Sequence, residues 1–91
     1  MVGNVAPPKL IHTPDPDYDG LAKESGFQGT VVLLIVVDEA GKPQRIRIQR
    51  PLGFGLDERA VEAVRKWTFH PATRDGKPVP VQINIEINFV L

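Results

Sequence analysis

Cysteine is absent from these 91 residues, so neither disulfide staples nor thiolate ligands and nucleophiles are available to the chain. That absence is compatible with a reducing or an oxidising compartment. Charge of one sign is also lacking: eleven Lys and Arg balance eleven Asp and Glu, leaving no overall field to draw the chain onto nucleic acid or an anionic membrane. Long apolar runs are missing as well. The longest, Val31 to Val37, falls far short of the about 20 residues that cross a bilayer as a helix. Met1-Val2-Gly3-Asn4 does not begin a signal peptide, so the chain is expected to be either cytoplasmic or cut from something longer.

Groups that carry catalysis are equally scarce. His12 stands in a Pro-rich stretch and His70 follows a helix, with no second histidine at metal-ligand spacing. Ser25, the only serine, lacks a Gly-x-Ser-x-Gly context. Gly53-Phe54-Gly55 lacks the third glycine of a phosphate loop, and Asp57 beyond it would repel an anion. Nucleophile, base and metal ligands do not converge, so no enzyme, cofactor or metal site is expected.

What is present is an ordinary globular composition, 42% apolar and 24% charged. The length suits one domain with a thin core, since a chain of this size buries only roughly 60 to 65 per cent of its unfolded surface. Residues 1–16 carry Pro7, Pro8, Pro14 and Pro16 and read as a loosely held linker, leaving residues 17–91 as the domain. Asp17 to Ser25 suits one or two helical turns presenting Tyr18, Leu21 and Ala22, ended by Gly26.

Gly29 to Asp38 is a β-branched run, apolar on both faces, as a central strand requires. Gly41 supplies a turn and Pro43 opens a second strand. There Ile46 and Ile48 share the core face, with Arg45, Arg47 and Gln49 opposite, read as a solvated face with an anion patch as the alternative. A helix then runs from Leu56, with Asp57 capping its free amides and Leu56 stapled to Val61. Leu56, Ala60, Ala63, Val64 and Trp67 make its apolar stripe. After an Asp75-Gly76 turn, Val79, Val81, Ile83, Ile85, Ile87 and Phe89 alternate with Pro80, Gln82, Asn84, Glu86 and Asn88, a long strand with one buried face.

The expected fold is α+β in two layers: a three-stranded antiparallel sheet in the order 2-1-3, covered by one main helix, plus a short N-terminal helix. Its third strand lies at an edge. The polar face of that strand offers no aromatic platform or basic side chains, which excludes nucleic acid as a partner.

Tyr18 before a short helix, Gly26 and Gly29, the Val-rich strand, Leu56-Asp57, Ala60, Ala63-Val64, Trp67-x-Phe69-x-Pro71-Ala72 and Gly76-x-Pro78-Val79 together resemble the TonB C-terminal domain family, from about Ile11 to Leu91. Asp19 stands where that family commonly has proline. Pro51 to Gly55 replaces a more usual Ser/Gly-rich turn. The resemblance implies a periplasmic, non-enzymatic adaptor that grips the box peptide of an outer-membrane TonB-dependent receptor by β-strand addition. The candidate contact residues are then Val81, Gln82, Ile83, Asn84, Ile85, Glu86, Ile87, Asn88 and Phe89, because an open strand edge presents unpaired amides and carbonyls. The membrane anchor and Pro-rich spacer of such transducers are not in this sequence, so tethering and contact with inner-membrane motor proteins are expected only through a missing N-terminal part. The alternative is a structural or regulatory module of the same family whose main contact is a homodimer, since the doubly apolar first strand needs cover on both faces.

Overall fold

The computed structural model describes residues 5–18 and 20–91, without the side chain of Leu21. Met1–Asn4 of the expected tail, Asp19, and the part assigned to Leu21 in the short helix lie outside the described residues. In chain order the elements are β1 (Val5–Ala6), β2 (Lys9–His12), α1 (Leu21–Glu24), β3 (Gly29–Val37), β4 (Pro43–Arg50), α2 (Leu56–Val64), β5 (Thr68–His70), β6 (Ala72–Arg74), β7 (Lys77–Val79) and β8 (Val81–Phe89).

β4, β3 and β8 form an antiparallel sheet with β3 in the middle. Val31, Leu33, Ile35 and Val37 are completely buried on one of its faces, as a strand apolar on both sides demands at the centre of a sheet. Ala22 of α1 and Leu56, Ala60 and Val64 of α2 join that cluster, together with Phe69, Ile87 and Phe89. The Tyr18 ring meets Phe89 edge-on at 5.2 Å, and its hydroxyl donates to the Phe27 carbonyl at 2.6 Å, so its polar tip is satisfied while its body covers the core.

The stretch read as a loose linker is partly built into the fold. β2 runs antiparallel to β5 and β1 antiparallel to β6, whose hairpin with β7 turns at Asp75-Gly76. These strands carry the molecule to an elongated 50 × 23 × 20 Å. Pro7 and Pro8 fall between β1 and β2, where no amide is needed for pairing, so the prolines that suggested a linker interrupt rather than prevent strand formation. The last strand is also divided. Val79 pairs with Ala72 and Val81 with Val37, so Pro80, lacking an amide, sits where the chain passes from one sheet to the other.

α2 is shorter than its apolar stripe suggests, ending at Val64, and Asp57 does not cap it. The capping position belongs to Gly55 in a left-handed conformation (φ 73°). The Asp57 carboxylate turns back to accept from the Leu52 and Gly53 amides at 2.6 and 3.1 Å, tying down the preceding loop. Trp67 lies beyond the helix, half-buried against the core, and its indole N–H donates to the Pro14 carbonyl at 2.9 Å. An exposed ion pair, Arg59 to Asp17 at 2.6 Å, lies along the same seam and adds little by itself. The ring is therefore a clasp on the N-terminal segment as well as a core residue.

The β3–β4 turn is fixed from two sides. The Asp38 carboxylate accepts from the Lys42 and Ala40 amides, both at 2.9 Å, and from the Gln44 amide at 3.1 Å. The Lys42 amide foremost holds the Asp38 carboxyl below its ordinary value. Gly41, buried with φ 80°, accepts at its carbonyl from the Phe69 amide at 2.8 Å, and a Cβ at Gly41 would collide with the Phe69 carbonyl oxygen.

Gly41→Ala is expected to destabilise the fold by about 1 to 3 kcal/mol from left-handed strain alone, with the backbone clash adding to it, read as a lower urea midpoint. Trp67→Phe is expected to cost about 1 kcal/mol through the lost indole bond. Trp67→Ala should cost about 3 kcal/mol or more, and a truncation cost below about 1 kcal/mol would place the ring outside the core.

Candidate functional site

The three-stranded sheet has two outer edges, and they are built differently. β4 meets β3 with two register shifts: Val32 faces Arg50 and Leu33 faces Ile48, then Leu34 faces Arg47 and Val36 faces Gln44. Each shift leaves an extra residue on β4, and Arg45 takes a left-handed conformation (φ 50°) at one of them. Bulges together with Arg45, Arg47 and Arg50, all exposed, are the features that blunt an edge against further pairing. As expected, Ile46 and Ile48 share the side facing α2, while Arg45 and Arg47 lie on the opposite face with Leu34 and Val36, and the bulge between the Leu33–Ile48 and Val32–Arg50 pairs leaves Gln49 as the extra residue. Ile46 is half-buried, while Ile48 remains 43% exposed in a groove of about 380 Å³ between β4 and α2, floored also by Val61.

β8 is the opposite case. All nine of its residues pair with β3 in unbroken register, from Gly29–Phe89 to Val37–Val81. That register sorts the side chains into two rows. Val81, Ile83, Ile85, Ile87 and Phe89 stand level with Val37, Ile35, Leu33, Val31 and Gly29 on the core face, the last two buried and the first three half-buried. Gln82, Asn84, Glu86 and Asn88 are exposed on the outer face, level with Val36, Leu34, Val32 and Thr30. Thr30 donates its hydroxyl proton to the Asn88 side-chain carbonyl at 2.7 Å, a cross-strand pair that locks the register. Beyond the strand, the Leu91 amide donates to the Gln28 side-chain carbonyl at 2.9 Å.

Among the described residues no strand lies against the far side of β8, where every second residue turns its backbone N–H and C=O outward. The flank is straight, free of bulges and carries no proline within its nine residues. The structure thus brings the nine sequence-selected residues together as one edge. The features that make this edge unlike β4 are the unbroken register and the bulges opposite, and neither leaves a signal in local sequence.

The remaining polar candidates do not gather. His12 stands on β2 opposite Thr68 and His70 on β5 opposite Lys9, both exposed, and Ser25 lies exposed after α1. In the Gly53-Phe54-Gly55 loop the Leu52 and Gly53 amides are occupied by Asp57, and Phe54 stacks at a tilt on Phe27 with ring centres 4.3 Å apart.

An antiparallel sheet with one bulged and one regular edge, backed by the nine-residue helix α2, defines a small α+β module. The family model described as the Gram-negative bacterial TonB protein C-terminal matches residues 14–91, and the chain belongs to that family. It is 39% identical over 82 residues to protein tonB2 of Pseudomonas aeruginosa, an alignment covering 89% of this chain and 30% of that protein. It is 36% identical over 77 residues to protein TonB of Vibrio cholerae, covering 84% of this chain and 32% of that one. The chain therefore spans about a third of the length of these curated relatives. The solution structure of the Pseudomonas aeruginosa TonB C-terminal domain superposes with a TM-score of 0.75 at 25% identity, over 92% of this chain and 86% of that one.

If the two rows of β8 have separate duties, substitutions should separate them. Ile87→Ala is expected to destabilise by about 2 to 5 kcal/mol, whereas Asn84→Ala and Gln82→Ala should stay within about 0.5 kcal/mol of the parent in urea unfolding.

Proposed function

We propose that this chain is the receptor-binding periplasmic domain of a TonB-type energy transducer, acting without catalysis. β8 receives the extended box peptide of an outer-membrane TonB-dependent receptor as a fourth strand. The observation that carries the reading is the contrast between the two edges in a member of this family: β4 is bulged and arginine-rich, β8 regular and open. A guest backbone at β8 satisfies amides and carbonyls that otherwise face water, and these main-chain bonds give attachment with little dependence on sequence. Ordering a flexible peptide opposes that gain, which suits a grip that must be released in each cycle of import.

Residues 17–91 carry this role, and residues 1–16 lead into it. Force would arrive through the N-terminal side from an anchor and inner-membrane motor outside this chain. The Trp67 to Pro14 bond and the β2–β5 pairing would then be the points where it enters the domain.

A second reading, self-association, is favoured by one observation. Ala22 of α1 and Leu56, Ala60 and Val64 of α2 pack into the cluster around Val31, Leu33, Ile35 and Val37, while Val32, Leu34 and Val36 are half-buried on the opposite face. A second copy meeting that face or the β8 edge would complete the cover.

Titration of the isotope-labelled chain with extended receptor-box peptides is expected to shift the backbone amides of residues 81–89 and to protect every second one from exchange. Shifts confined to other elements would rule out strand addition at β8. Sedimentation over a range of concentrations separates the second reading: a monomer throughout the range excludes it.

A further inference from the structure

The row of side chains on the exposed side of β8 contains one formal charge. Between Val81 and Phe89 the outer face reads Gln82, Asn84, Glu86 and Asn88, and Asn88 is already engaged by Thr30. Glu86 forms no ion pair among the described residues. On its inner flank it stands level with Val32, and Arg50 lies level with Val32 on the far strand. Arg50 and, one pair along, Arg47 stand on that same outer face two strand spacings away, roughly 10 Å or more between backbones, and Arg45 lines the face beside Gln82, so these arginines act on Glu86 from across β3 and not from its open flank. The other flank of Glu86 is the open edge.

We propose that Glu86 sets the charge preference of this edge, so that the occupant is an extended segment bearing a Lys or Arg on its solvent-side face, level with Glu86. The proposal rests on the strand-addition reading and deepens it. A strand laid against β8 brings its facing side chain to about 5 Å from Glu86 between Cβ atoms, whereas Arg50 is then about three strand spacings away. The near charge therefore decides the sign. On the core side the same guest places its alternate residues beside Ile83 and Ile85, which are half-buried and have no strand on their outer side among the described residues, so those positions take apolar side chains. The recognised segment is a period-two peptide, apolar inward and polar outward, with one cation in its outward row.

The test uses three peptides of that pattern that differ only in the central outward residue, Lys, Ser or Glu. Their affinities are measured by fluorescence anisotropy at low and moderate salt, with amide shifts recorded in parallel. With the parent chain the Lys peptide is expected to bind roughly three- to tenfold more tightly than the Glu peptide, with Ser between them and the spread narrowing as salt rises. Glu86→Lys should reverse the order and Glu86→Gln should flatten it. The same charge change at Glu58, exposed on α2 beside the opposite edge, should leave the order intact.

Amide shifts in residues 81–89 with no charge preference would overturn this proposal and leave strand addition standing. A preference that Glu58→Lys reverses equally would overturn it as a bulk-charge effect. Peptides that leave the β8 amides untouched would remove both readings together.

Discussion

Everything in this small domain is organised by the need to bury a strand that is apolar on both faces. β3 cannot lie at an edge or against water, so β4 and β8 must flank it. Helices must close over Val31, Leu33, Ile35 and Val37, which are entirely withdrawn from solvent. A chain of this length has little else to bury, and about 25 cal/mol per Å2 of apolar area must outweigh the ordering of the whole backbone. The other features act as supports for that one strand: the Asp38 turn, the Gly41 to Phe69 bond, the Tyr18 ring over Phe89 and the Trp67 clasp.

With the middle of the sheet settled, its edges acquire different roles. A three-stranded sheet necessarily exposes two, and each is a hazard of uncontrolled pairing. This fold disarms one with bulges and arginines and keeps the other straight. The straight edge belongs to the strand whose two rows are most cleanly divided between core and solvent. Its inner row can therefore hold the fold while its outer row varies with little effect on stability. On the function proposed above, such an edge would have its backbone geometry guaranteed by packing and its selectivity left to a few exposed side chains.

The N-terminal segment adds a mechanical theme. β1 and β2 are short and exposed, and among the described residues they pair only with the peripheral strands β6 and β5. Elements with few buried contacts open before a core does. The Trp67 indole and the Asp17 to Arg59 pair stand where this segment meets the body. Tension applied to the N-terminus would reach the peripheral strands before it reached the ladder between β3 and β8.

Local pattern determined a good part of this protein. Period-two alternation over Val81–Phe89, the β-branched run of β3 and the stripe of α2 each follow from which residues neighbour one another in sequence, and they gave the three strands of the main sheet, the main helix and the nine residues of β8, whereas β1, β2, β5, β6 and β7 were not foreseen. Pairing across the chain decided the rest. Pro7 and Pro8 hid β1 and β2, because their amide partners lie some 60 residues away in β5 and β6. Asp57 was drawn from the helix cap to the loop by amides that only the folded loop presents, and Trp67 found a carbonyl 53 residues distant. The bulges of β4, which distinguish that edge from the regular β8, exist only in its pairing with β3. Side-chain periodicity is a property of a segment, whereas register and edge character belong to a pair of segments, and these come into being only when the chain has closed on itself.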